Sequence, residues 1–123
     1  MNSRLFAIRG ATCAENTKES IVETTTKMCR EIFEKNNLHP ASIVSIHFTL
    51  TSDLDALNPA TALRLNLKEF SSCPLFCSQE ANVKGMLPKT IRVLVSAYFE
   101  EGTTIRHIYI NGAEKLRPDI ANV

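Results

Sequence analysis

From Ile21 to Phe33 the buried-type positions recur three and four residues apart. Ile21, Val22, Thr25, Met28, Cys29, Ile32 and Phe33 share one face, while Glu23, Lys27, Arg30, Glu31 and Glu34 take the other. That spacing follows the 3.6-residue turn and predicts an amphipathic helix, the clearest in the chain. Asn16 is placed to cap its start, with Glu19 three residues on to complete a capping box. Asn36 and Asn37, ahead of Pro40, end it.

Elsewhere the period falls to two. "SRLFAIR", residues 3–9, predicts a first strand ending at Gly10. "SIVSIHFTL", residues 42–50, predicts a second with Val44, Ile46, Phe48 and Leu50 on one face. In "NPATALRLNL", Asn58 as cap and Pro59 at the first helical position predict a short second helix. "CPLFCS" reads as a third strand, followed by a loop, "NVKGMLPK", carrying Gly85 and Pro88.

"TIRVLVSAYF", residues 90–99, is apolar on both faces apart from Arg92, the pattern of a strand covered on both sides. "EEG" then turns the chain into "IRHIYI", a fifth strand over 105–110. The order β, α, β, α, β, β, β, without repeats or linkers, predicts one α/β (α+β) domain over residues 1–123. Its mixed β-sheet carries helices on one face. The other face needs a cover that the chain does not supply, which points to self-association.

Hydrophobic residues make up 44% of the 123, close to the globular average, and the chain is long enough for a real core, so disorder is not the default reading. Fourteen basic against thirteen acidic residues give a net charge of +1, without the electrostatic footprint of a nucleic-acid or membrane-surface protein. No apolar run approaches the ~20 residues that span a bilayer. The start, "MNSRLFAIRGATC", lacks the apolar core of a secretory signal. The expected location is the cytoplasm. There the four cysteines, Cys13, Cys29, Cys73 and Cys77, stay free thiols. The spacing of Cys73 and Cys77 around "PLF" does not match a zinc knuckle, and no metal or cofactor is expected.

Charge inside strand patterns is the remaining signal. An isolated arginine at a strand end, such as Arg9 or Arg106, commonly snorkels to water, and Tyr109 alone fits a core tyrosine. Glu80 alone reads as a loop residue, and His47 and His107 as satisfied strand histidines. Arg92 is different, because a buried and unpaired guanidinium is costly and calls for an anion. No Ser–His–Asp arrangement and no Gly-rich phosphate loop is present. Several arginines and one carboxylate suit a small ligand bearing several carboxylates, which guanidinium groups bind bidentately.

"IRGAT" at 8–12, "CSQE" at 77–80, "LPKTIRV" at 87–93, "IRHIYI" at 105–110 and "LRPD" at 116–119 together resemble the AroH-class monofunctional chorismate mutases. The resemblance implies a trimeric pseudo-α/β-barrel (chorismate mutase/Rid-like) with active sites between subunits. The reaction it implies is the Claisen rearrangement of chorismate to prephenate on the route to phenylalanine and tyrosine, without a cofactor. Arg92 would face the ether oxygen and one carboxylate. Arg9 and Tyr109 would bind the enolpyruvyl carboxylate, and Glu80, near Cys77, would accept from the ring hydroxyl. Arg64, Leu116 and Arg117 would close the cleft, and Asn58, Ala60, Thr61, Leu75 and Phe76 complete the implied binding set. Two positions depart from the family pattern: Asn58 stands where an aromatic residue is usual, and Thr61 where a lysine is. Both would weaken substrate capture rather than abolish chemistry. Two other readings stand beside this one: a Rid-type imine or enamine deaminase, and a non-catalytic trimer that binds a carboxylate ligand.

Overall fold

The computed structural model describes residues 2–120; residue 1 and residues 121–123 of the expected domain lie outside them. Strand β1 (Ser3–Cys13) leads to helix α1 (Lys18–Lys35), strand β2 (Ile43–Leu50) and helix α2 (Pro59–Asn66). Strands β3 (Leu75–Gln79), β4 (Thr90–Glu100) and β5 (Ile108–Tyr109) follow. All five strands form one sheet in the order β3-β2-β4-β1-β5. β4 runs antiparallel to both β1 and β2, while β3 and β5 pair in parallel with β2 and β1. The fold is therefore α+β with a mixed sheet. No helix among the described residues is long and apolar enough to cross a membrane.

The first helix buries the predicted stripe: Ile21, Thr25, Met28, Cys29, Ile32 and Phe33 are all inside, and only Val22 stays half-exposed. Its start lies one residue later than the capping-box reading. Thr17 is the cap, accepting the Ser20 amide at 3.0 Å. Asn16 instead reaches across to the loop before α2, donating to Asp55 and accepting the amides of Asp55 and Ala56. At the other end Asn36 donates its amide to the carbonyls of Ile32 and Arg106, and accepts the Arg106 N–H at 2.8 Å.

Strand alternation separates two faces of the sheet. Ile8, Ile46, Phe48, Val93 and Val95 point to the helices and form the core with Ile21, Met28, Ile32 and Leu63. Burying each such side chain is worth roughly 1.5–3 kcal/mol. Packing at the centre is tight enough that a Cβ on Gly10 would lie 2.6 Å from Ile32 Cδ1 and 2.9 Å from Val93 Cγ1.

On the opposite face the register sets Leu5 across from Tyr98 and Arg9 across from Leu94. Leu5, Tyr98 and Leu94 are 49%, 50% and 44% exposed. β4 is thus covered on one side only within a single chain. Two further expectations change. A bulge between Ile43 and Ser45 turns Val44 outward, so it leaves the face of Ile46 and Phe48. The fifth strand shrinks from six residues to two, Ile108–Tyr109.

Candidate active site

The open face holds a cleft of about 300 Å³. Register builds it in rows. Thr49, Arg92, Ala11 and Tyr109 stand side by side on β2, β4, β1 and β5; His47, Leu94 and Arg9 form the adjacent row. Glu80 follows β3, anchored by its N–H donating to the Leu50 carbonyl at 2.8 Å. Arg9, Arg92, Glu80 and Tyr109 all line the cleft, together with His47 and Thr49.

Arg92 Nε lies 3.5 Å from Glu80 Oε1. The Arg92 side chain is 48% exposed and that of Glu80 26%, so the guanidinium is not the buried charge its strand pattern implied. A half-exposed pair contributes about 0–1 kcal/mol at most. A guanidinium carries five N–H donors, so this one contact leaves donors for a second anion. The β4 start is held firmly. Lys89, at φ 49°, donates its amide to both Asp53 carboxylate oxygens, and the Thr90 amide donates to Thr51 Oγ1 at 3.0 Å. These bonds fix the backbone entering Arg92.

Arg9 is held through its backbone, whose N–H donates to His107 Nδ1 at 2.9 Å. Burial, then the charges of Arg9 and Arg117, push the His107 pKa below its ordinary value. Arg117 grips Asp119 in a fork, at 3.1 and 2.8 Å, which holds that carboxyl below the usual range. The Arg117 pKa is raised chiefly by that Asp119 bond, with Tyr109 among the smaller causes, which places the C-terminal segment near the cleft. Leu116 closes a short 3-10 turn, Ala113–Leu116, and is half-buried.

The remaining expected residues lie along α2 and β3, and none lines the cleft. Asn58 caps α2 as predicted, its Oδ1 accepting the Ala60 amide at 2.9 Å. Ala60 is 2% exposed and packs in the core. Thr61 is half-buried, and Arg64 stands exposed in the last turn of α2. Leu75 turns to the helix side opposite Ile46. Phe76, 72% exposed, turns to the open side, with its ring edge-on to His47 at 5.9 Å.

Cys77 does not adjoin Glu80 in the cleft. It lies opposite Phe48 on the helix-facing side, and burial pushes its thiol pKa up. Three residues along a strand reverse the face, which the sequence proximity of "CSQE" hides. The same alternation would have found two lining residues the motif reading passed over. His47 and Thr49 are the outward neighbours of Ile46 and Phe48. His47 Nε2 shares a 2.9 Å hydrogen bond with Ser78 Oγ, while Thr49 Oγ1 is buried without a partner among the described residues.

Two guanidinium groups, a carboxylate and a phenol thus converge on a shallow, partly apolar cleft. That set can hold an anionic ligand with a hydroxyl. His47 reaches the Ser78 hydroxyl but has no carboxylate partner among the described residues, and no three His, Cys, Asp or Glu side chains among them are grouped to hold a metal.

The family described as chorismate mutase type I matches residues 5–120. The chain is 37% identical to the chorismate mutase AroH of Bacillus subtilis over 116 residues, 93% of this chain and 91% of that one. It is 36% identical to the AroH of Thermus thermophilus over 118 residues, 92% and 93% of the two chains. A solved chorismate mutase from Clostridium thermocellum superposes with a TM-score of 0.81 at 42% identity, covering 89% of this chain and 98% of that one.

Proposed function

The chain belongs to the type I chorismate mutase family and isomerises chorismate to prephenate in aromatic amino-acid biosynthesis; we propose that it does so at clefts shared between the subunits of a homotrimer. The observation that carries the reading is the meeting of Arg9, Glu80, Arg92 and Tyr109 in one cleft on an uncovered sheet face.

The rearrangement is unimolecular, so no nucleophile, metal or external proton is required. What lowers the barrier is holding the compact reactive conformer and stabilising the charge that builds up as the ether C–O bond breaks. Arg92 suits both needs, pointing a preorganised fork at the ether oxygen and contacting one carboxylate. Such a donor is worth about 3–4 kcal/mol of barrier. Arg9 and Tyr109 hold the enolpyruvyl carboxylate, and Glu80 accepts from the ring hydroxyl while orienting Arg92.

The second group of residues belongs to a neighbouring copy in this reading. Asn58, Thr61 and Arg64 belong to α2 and its cap, and Leu75, Phe76 and Cys77 to β3; none lines the chain's own cleft, although Phe76 lies beside its rim at His47. Assembly across the open face brings them to the mouth of the next subunit's cleft. Ala60, buried in the core, contributes by fixing the start of α2 rather than by its side chain touching ligand. Leu116 and Arg117 close the cleft from the C-terminal segment. The apolar face of Leu5, Leu94 and Tyr98 supports the same assembly, since it offers a second copy a surface to bury. A single domain acting in the cytoplasm completes the reading.

Purified protein given chorismate without added cofactor tests it by the loss of chorismate absorbance. Turnover to prephenate is the expected result. Binding without turnover would indicate a carboxylate sensor, and ammonia release from an imino acid would indicate a deaminase.

A further inference from the structure

The Arg9 N–H points along the sheet toward β5, where a longer parallel strand would offer a backbone carbonyl. The His107 ring takes that place. Its Nδ1 accepts the bond at 2.9 Å, and regular pairing of β5 with β1 is confined to Gly10 with Ile108 and Ala11 with Tyr109. The acceptor holding the backbone of Arg9 is therefore a titratable atom. Imidazole accepts at Nδ1 only while that nitrogen carries no proton.

The ring is half-buried and borders an open pocket formed with Thr104, Ile105, Arg106 and Ile120, so solvent protons reach it. The charged groups facing it are Arg9 on β1 and Arg117 in the C-terminal segment, the latter paired with Asp119. Arg106 flanks it on its own segment, with Tyr109 two residues further on. Burial and the two facing guanidinium groups all favour the neutral ring, and push its pKa down from 6.5. A proton on His107 would remove the Arg9 bond and add a third cation beside the other two.

We propose that His107 is a positioning residue for substrate capture: its neutral ring fixes the Arg9 backbone, and protonation in mildly acidic solution loosens Arg9 and weakens carboxylate binding. The proposal rests on the reading of Arg9 as a carboxylate anchor. The added positive charge acts in the opposite sense, but His107 does not line the cleft, and its field is screened by solvent. The displaced amide acts directly on the residue that touches ligand.

The test is steady-state turnover of chorismate from pH 8 to 5.5 at constant ionic strength. Over that range the substrate carboxylates stay ionised. For the unaltered chain KM should rise roughly 2–5-fold toward pH 5.5 while kcat changes less than about twofold. In His107→Asn, Oδ1 replaces the Nδ1 acceptor and does not titrate, so KM should stay near its pH 8 value throughout. His107→Leu should show a raised KM at every pH and no acid limb. An acid limb that survives in His107→Asn, or a KM that falls on acidification, would overturn the proposal.

¹⁵N NMR of the unaltered chain needs no variant to fold. Nδ1 should be unprotonated at pH 8, with a protonation midpoint matching the KM limb; a protonated Nδ1 at pH 8 sinks the idea. Arg9→Ala separates the two readings. An unchanged KM there would reject Arg9 as the anchor, whereas a raised KM with a flat His107 response would reject only the role of His107.

Discussion

Arg92 and Glu80 meet at 3.5 Å from different parts of the sheet, the arginine from near the start of β4 and the glutamate from the residue that follows β3. The carboxylate restrains the guanidinium from one side and leaves its other donors to a ligand. The consequence is a cation oriented before substrate arrives, whose main return comes when charge develops on the breaking ether.

Replacing Arg92 by Lys should therefore lower kcat by roughly 10²–10³-fold while KM changes far less. Lysine keeps the charge but lacks the planar fork. Steady-state kinetics with chorismate decide the matter. A raised KM with level kcat would assign Arg92 to ground-state binding alone.

If the cleft of one subunit is completed by α2 of the next, two inactive variants should rescue each other. Arg92→Ala and Arg64→Ala, unfolded together and reassembled, should recover roughly one quarter of native activity. The reason is that one interface in four pairs an intact cleft with an intact α2 in random mixing. Each variant reassembled alone should stay low. Activity of the mixture no higher than the mean of the two would show that both arginines act within one chain.

Gly10 separates Arg9 from the core, and a methyl there would collide with Ile32 and Val93. Gly10→Ala should destabilise the fold by about 1–3 kcal/mol, the usual cost of overpacking. It should also raise KM, because relief of the clash moves the strand that carries Arg9. Denaturant midpoints and chorismate kinetics on the same sample report both effects.

Burial pushes the Cys29 thiol from its ordinary 9.0 up to about 12. The unfolded chain then loses this proton first. Stability is complete below pH 9 and falls as pH rises toward 12, by up to about 4 kcal/mol from this group. Unfolding free energies at pH 8 and pH 10.5 should differ more in the native chain than in Cys29→Ala. Equal differences would mean that water reaches the thiol.

Much of this was legible in the residues. The Ile21–Phe33 stripe and the Asn58–Pro59 start are local signals, and both helices appear where they point. The family resemblance named four residues that the sheet then brought into one cleft: Arg9, Glu80, Arg92 and Tyr109. What escaped depends on partners distant in sequence. Thr17 rather than Asn16 caps α1 because Asn16 is engaged by the loop at Asp55. The fifth strand is short because the ring of His107 substitutes for a carbonyl. The bulge at Val44 and the face of Cys77 are matters of register, which short motifs do not carry. The exposure of Arg92 reflects a sheet side that one chain leaves uncovered.

Asn36 presents its amide to Arg106 as an adjoining strand would, giving a hydrogen bond and taking one back. The segment leading to His107 and Tyr109 is thereby moored to the tail of α1 as well as to the two-residue ladder beside it. Wear at that mooring would register as a wandering phenol and imidazole, in a molecule whose helices and sheet still looked intact.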